Sequence, residues 1–183
     1  MIPRIVLLFL LICSFSSSAQ ISDSEMESLK TKWRVELRSK GHELVRKMNI
    51  AVGMSQFSDS IQRLFLEDTF VVENLYRRQL EKESTTLGMN KANLACASEY
   101  EQLVDKYFAI LSVKMNSEDK DLLSSWQTDW KTMMEKERTL IGKLMQEEYS
   151  GGGSIHSIEY TNRLMKQQKH HLLILIDYLT HLI

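Results

Sequence analysis

The sequence predicts an all-α fold, an up-and-down antiparallel bundle of about four to five helices. Three observations carry this. The only proline is Pro3, so nothing after it stops a helix as proline does. Glycine is also scarce: there are seven, and three of them are consecutive at Gly151, Gly152 and Gly153. Elsewhere the apolar residues recur at three- and four-residue steps, the spacing of one helix face.

The chain opens with a secretory signal over residues 1–19. Arg4 supplies positive charge, Ile5 to Ile12 form an unbroken apolar run, and Ser17-Ser18-Ala19 offers small residues for cleavage before Gln20. The run is too short to span a bilayer. Cys13 raises lipid anchoring as a rival, but Ile12 precedes it where a lipidation site wants a small residue. An ordinary cleavable signal is the expectation, which places the mature chain in the periplasm or outside the cell.

The first helix is expected over Asp23–Asn49, capped by Ser22 or Ser24, with Glu25 and Glu27 favourable in its first turn. Met26, Leu29, Trp33, Leu37, Leu44 and Met48 lie along one side, and Gly41 is where it would break or bend. Val52 to Phe57 reads as a turn. The second helix, Asp59–Glu83, carries Ile61, Leu64, Phe65, Val71, Val72, Leu75 and Leu80. Thr85-Thr86-Leu87-Gly88 interrupts or kinks the pattern. The third, Met89–Met115, has Leu94, Ala97, Tyr100, Val104, Tyr107 and Leu111 facing inward. Ser117 is the expected cap of the fourth, Glu118–Tyr149, whose stripe is Leu122, Trp126, Trp130, Met133, Leu140 and Leu144, with Glu137 in line. The glycine turn then leads to a fifth helix from Ile155 onward. There Leu172 to Ile176 is apolar on every side, a pattern a strand also shows. Leu164, Met165, Leu179 and Leu182 favour a buried helix.

Composition narrows the function classes. Hydrophobic residues make up 43% of the chain, enough for a real core. Charged residues make up 26% and nearly cancel, for a formal net charge of -1, which argues against a nucleic-acid binder. Cleavage would remove Cys13 and leave Cys96 alone, so the fold would not depend on an internal disulfide. Ala95-Cys96-Ala97 reads as a buried small hydrophobe and not a reactive thiol.

Constellations that carry chemistry are missing. No two of His42, His156, His170, His171 and His181 are three or four residues apart, and adjacent His170 and His171 point about 100° apart on a helix. These read as solvated side chains of a terminal helix. There is no HExxH, no zinc pattern and no Glu-x-x-His of a di-iron bundle. The glycine run lacks the Gly-Lys-Ser/Thr ending of a phosphate loop, and no Gly-x-Ser-x-Gly elbow occurs. No catalytic, cofactor-binding or metal-ligating residue is assigned. Trp126 and Trp130, four residues apart, share a face. Core packing is the expectation, and a partly exposed aromatic pair for partner binding the alternative.

From Thr85 onward the residues form a recurring order. Thr86 and Met89 precede Cys96, then Tyr100 and Asp105. Leu122-Leu123 leads into Gln127 and Trp130, and Gly151 to Ser154 leads into the last helix. This stretch resembles the LprI-like family, over about residues 85–183. The resemblance divides the chain into the signal at 1–19, an N-terminal helical extension at 20–84 and an LprI-like helical domain at 85–183. Its landmarks are Met89, Cys96, Tyr100, Asp105, Gln127, Trp130 and Gly152, read as structural before functional. The sequence departs from the family at Met133-Met134-Glu135, at Lys106-Tyr107-Phe108, and at Arg138, which stands where the family has a second cysteine.

The resemblance implies a small exported helical domain without catalytic activity, and the family's name points to inhibition of host-type lysozyme. No inhibitory motif carries over residue by residue, so no inhibitory site is assigned. Two readings follow. One is an exported binding protein with a protein partner, lysozyme being the candidate. The other is an envelope interaction module with an endogenous partner. An acidic cluster on an exposed face would favour the first, and an extended apolar face the second.

Overall fold

The computed structural model describes residues 21–48, 55–150 and 154–182. The signal with Cys13 and its cleavage site, residues 52–54 of the turn expected at Val52 to Phe57, and the landmark Gly152 lie outside the described residues, while Ser55 to Phe57 belong to the start of a helix and not to a turn. All regular structure among the described residues is helical: α1 (Asp23–Arg46), α2 (Gln56–Lys82), α3 (Thr86–Lys114), α4 (Ser117–Leu144), a single turn α5 (Glu147–Ser150) and α6 (Ser154–Asp177), which runs on as a π-helical turn, Tyr178–Leu182. The fold is an all-α bundle, and Leu172 to Ile176 is helix, not strand.

A short polar side chain starts each of the first four helices by accepting a backbone N–H of the first turn. Ser22 accepts from Glu25 at 3.2 Å, Ser55 from Ser58 at 3.1 Å, Thr85 from Gly88 at 3.0 Å and Asn116 from Asp119 at 2.9 Å. The cap of α4 is therefore Asn116 and not Ser117. That helix stops at Leu144, short of the expected Tyr149, with the Met145 N–H closing onto the Ile141 carbonyl. The Thr85 cap makes residues 85–88 a helix start. A Cβ on Gly88 would lie 2.5 Å from the Glu83 carbonyl oxygen, so only glycine lets α2 and α3 meet this closely. Gly41 does not break or bend α1 out of helix. It is buried, and the Phe70 ring of α2 lies 3.1 Å from where its Cβ would be.

Polar pairs define the topology. Arg78 with Glu36 and His42 with Glu67 run α1 antiparallel to α2. Lys106 with Asp68, and Tyr76 with Asn93, do the same for α2 and α3. Asn90 with Ser157 and Asn93 with Thr161 set α6 parallel to α3. The small buried residues Gly88, Ala92 and Cys96 line the inner side of α3, which packs extensively on α6.

The main core gathers Ile61 and Val72 of α2, Cys96, Tyr100, Val104, Tyr107 and Leu111 of α3, Leu123 of α4, and Leu172, Leu175 and Ile176 of α6 with Leu179 beyond it. It therefore runs across residue 84. A second cluster, Leu37, Val71 and Leu75, seats α1 on α2. Within the α2–α3–α6 contact lies a buried polar chain. The Tyr76 hydroxyl donates to Asn93 Oδ1 at 2.8 Å, Asn93 Nδ2 donates to Thr161 Oγ1 at 2.9 Å, and Thr161 Oγ1 donates to Asn90 Oδ1 at 3.0 Å.

Several expected inward residues face solvent. Leu44 and Met48 are exposed because Leu37, Gly41 and Val45 make the contact face of α1. Leu94 is exposed because Ala92, Asn93 and Cys96 face inward there. The largest correction concerns α4. Its buried residues are Leu123, Gln127 and Met134, while Leu122 is 72%, Met133 51%, Leu140 58% and Leu144 49% exposed. The helix is turned by one residue, about 100°, from the setting its apolar stripe predicts.

A candidate interaction face on α4 and α6

The turned setting of α4 follows from what α6 offers it. Along α6 the buried positions Leu164, Gln168, His171, Leu172 and Leu175 recur at helical spacing, so a histidine and a glutamine lie within the buried row. His171 is only 1% exposed, which corrects the expectation of a solvated side chain; its neighbour His170 is exposed. A buried imidazole requires a hydrogen-bond partner, and α4 supplies one by turning Gln127 inward. His171 Nε2 lies 2.8 Å from Gln127 Oε1.

The two tryptophans cover both faces of this ring. Trp130 stacks on His171 with centroids 3.8 Å apart and planes 8° from parallel, and Trp126 lies on the other face at 4.6 Å and 26°. Trp126 also leans against Tyr178. Four-residue spacing on α4 places the two indoles one turn apart, wide enough for one imidazole between them. Burial, with smaller contributions from the charges of His170 and Lys131, pushes the His171 pKa down to about 4. The ring is therefore neutral at ordinary pH, sealed on both faces, and serves to hold α4 on α6. Both tryptophans are half-buried, so each corrects the core expectation in part.

Two turns along, Glu137 accepts from Arg163 at 2.5 Å and from Gln167. This meets the need of an acid in that stripe for a partner. Beside it a groove of about 540 Å³ runs between Trp130, Met133 and Met134 of α4 and Arg163, Lys166 and His170 of α6. A second, mainly apolar hollow of about 470 Å³ lies between Leu111, Met115, Leu122, Leu123, Trp126 and Tyr178. Of the exposed row Leu122, Met133, Leu140 and Leu144, Met133 lines the first and Leu122 the second. A third cleft, about 600 Å³ between α1, α2 and α3, is lined by charged residues, among them the ion pairs Arg34–Glu99 and Lys106–Asp68, the His42–Glu67 hydrogen bond and Arg38.

The landmark residues do not converge on one site. Gln127 and Trp130 meet at His171. Cys96 and Tyr100 are buried in the core, where the Tyr100 hydroxyl donates to Glu73 at 3.2 Å and burial pushes the Cys96 thiol up to about 12. Met89 is half-buried, and Asp105 is exposed and paired with Lys131 at 3.0 Å. His171 is the site residue that sequence reasoning missed. Its signal was the spacing from Leu164 and Gln168 to Leu175, which separates it from His170. Among the described residues no three His, Cys, Asp or Glu side chains gather as a metal site, and no helix is long and apolar enough to cross a membrane. No family model, curated protein or solved structure matches the chain.

Proposed function

We propose that the protein is an exported, non-enzymatic helical binding protein that takes a protein partner on its α4 face. One observation carries the reading: Leu122, Met133, Leu140 and Leu144 form an apolar row that the bundle leaves in solvent, beside half-buried Trp126 and Trp130. An extended apolar patch rimmed by polar groups is a protein-interaction feature, and half-buried tryptophans are common energetic anchors of such surfaces.

The charges near the row are of both signs, with Asp129 and Glu137 beside Lys136, Lys143, Arg163 and Lys166. A basic lysozyme would favour an acidic surface. The apolar row therefore supports an interaction module with an endogenous envelope partner over a lysozyme inhibitor. The test is capture from an envelope extract by the chain from Gln20 onward, beside a Leu140→Glu variant, with a lysozyme activity assay in parallel. The reading expects a partner retained by the parent and lost by the variant, with lysozyme unaffected. Inhibition of lysozyme by both proteins would overturn the assignment of α4.

A further inference from the structure

We infer that α4 pairs with α4 of a second copy of this chain, antiparallel, across a two-fold axis at Met133. This rests on the reading of α4 as a binding face and names its occupant.

One side of α4, exposed except at half-buried Trp126, carries two columns of seven-residue spacing. One is Trp126, Met133 and Leu140; the other is Leu122, Asp129, Lys136 and Lys143. Interleaved, they step by four and three residues, the pattern of a helix-pairing seam. Within the bundle only the Trp126 end of this seam touches another helix, through His171 and Tyr178, since Leu123, Gln127 and Met134 make the buried contact and Met133, Leu140, Asp129, Lys136 and Lys143 stay exposed.

The first column is symmetric about Met133, and the apolar ends Leu122 and Leu144 extend that symmetry. Trp126 and Leu140 lie seven residues to either side, and Leu122 and Leu144 eleven. An antiparallel copy centred there sets Met133 against itself, Trp126 against Leu140, and Leu122 against Leu144. A two-fold interface must be self-complementary in this way.

The charges select the occupant and its direction. Asp121 and Asp129 stand in the first half of the face, and Lys136 and Lys143 in the second. All four are exposed, and none of their side chains has an ion pair or hydrogen bond among the described residues. Asp129 is four residues before Met133 and Lys136 three after it, so an antiparallel copy brings Asp129 beside Lys136 twice over. Asp121, twelve residues before Met133, and Lys143, ten after it, also fall at the same end of the pair, less closely in register. Parallel pairing would set acid on acid and lysine on lysine, which is repulsive. The order of charge along the helix also suits its macrodipole, so the charge-exchange variants below form part of the test.

The test is the solution mass of the chain from Gln20 onward by light scattering and sedimentation, over a range of concentrations. The expected result is a reversible dimer. Leu140 is exposed in the monomer, so Leu140→Glu should keep its helical circular dichroism and raise the dissociation constant about thirtyfold or more. Asp129→Lys and Lys136→Asp should each weaken the dimer, and the two together should restore it. Met133→Cys should cross-link to itself under mild oxidation, whereas Val113→Cys, on an exposed part of α3, should not. A monomer at every concentration overturns the pairing while leaving the envelope-partner reading to its own capture test. A dimer indifferent to Leu140→Glu, or one that the double charge exchange fails to restore, overturns the antiparallel α4 geometry.

Discussion

The indole of Trp130 lies flat on the imidazole of His171, 3.8 Å between centroids, and so helps fasten α4 to α6 beside the Trp126 stack, the Gln127 hydrogen bond and buried Leu123. Deleting the indole removes this stacking and opens one face of a buried histidine. Trp130 is half-buried, so the cost falls below the ~3–5 kcal/mol of a fully buried tryptophan, at about 2–3 kcal/mol. Trp130→Ala should lower the melting temperature by several degrees, and a melting curve superimposable on the parent's would show that the stack contributes nothing.

His171 should make stability depend on pH. An unfolded imidazole titrates near 6.5, whereas burial holds the folded one at about 4. Above about pH 6.5 neither state binds the proton and the full stability is present. Between these values the unfolded chain takes up a proton that the folded chain refuses, so stability falls as pH falls, by on the order of 3 kcal/mol. Below about pH 4 this group adds no further loss. Denaturant titrations from pH 7.5 to 4.5 should show the slope, and His171→Gln should flatten it.

Cys96 is buried between α3 and the core, and its thiol is pushed up to about 12 by burial. The thiolate is the reactive form. Native protein at pH 8 should therefore resist an aromatic disulfide reagent that labels it at once in denaturant. Labelling at equal rates in both conditions would place Cys96 at the surface.

Asn93 joins three helices through Tyr76 and Thr161. Asn93→Ala leaves the Tyr76 hydroxyl without its acceptor, while Thr161 keeps Asn90, at a cost of about 1–3 kcal/mol. Adding Tyr76→Phe should cost less in the Asn93→Ala background than in the parent. Strict additivity of the two in a double-mutant cycle would argue against a coupled network.

Helix positions were legible in the sequence because their causes are local. The Ser22 cap sits beside the residue it bonds, and the absence of proline after Pro3 leaves long stretches free to coil, whereas the caps Ser55, Thr85 and Asn116 were not singled out because several short polar residues compete at each of those helix starts. The inward residues Tyr100, Val104, Tyr107 and Leu111 were legible too. The central helix α3 is enclosed by neighbours, so its apolar spacing and its burial coincide.

The setting of α4 was not legible. Its largest apolar residues fall on one side, and hydrophobicity alone would bury Leu122, Met133, Leu140 and Leu144. The bundle buries Leu123, Gln127 and Met134 instead, because α6 presents His171 within its buried row and a buried imidazole must be hydrogen-bonded. That requirement comes from a residue 44 positions away from Gln127, outside any local window. The sequence by itself determined that this protein is a chain of long capped helices with an apolar core. Only the tertiary structure decided which side of α4 meets that core, since polar partners separated in sequence can be matched only where the helices meet, and matching them left the apolar row outside.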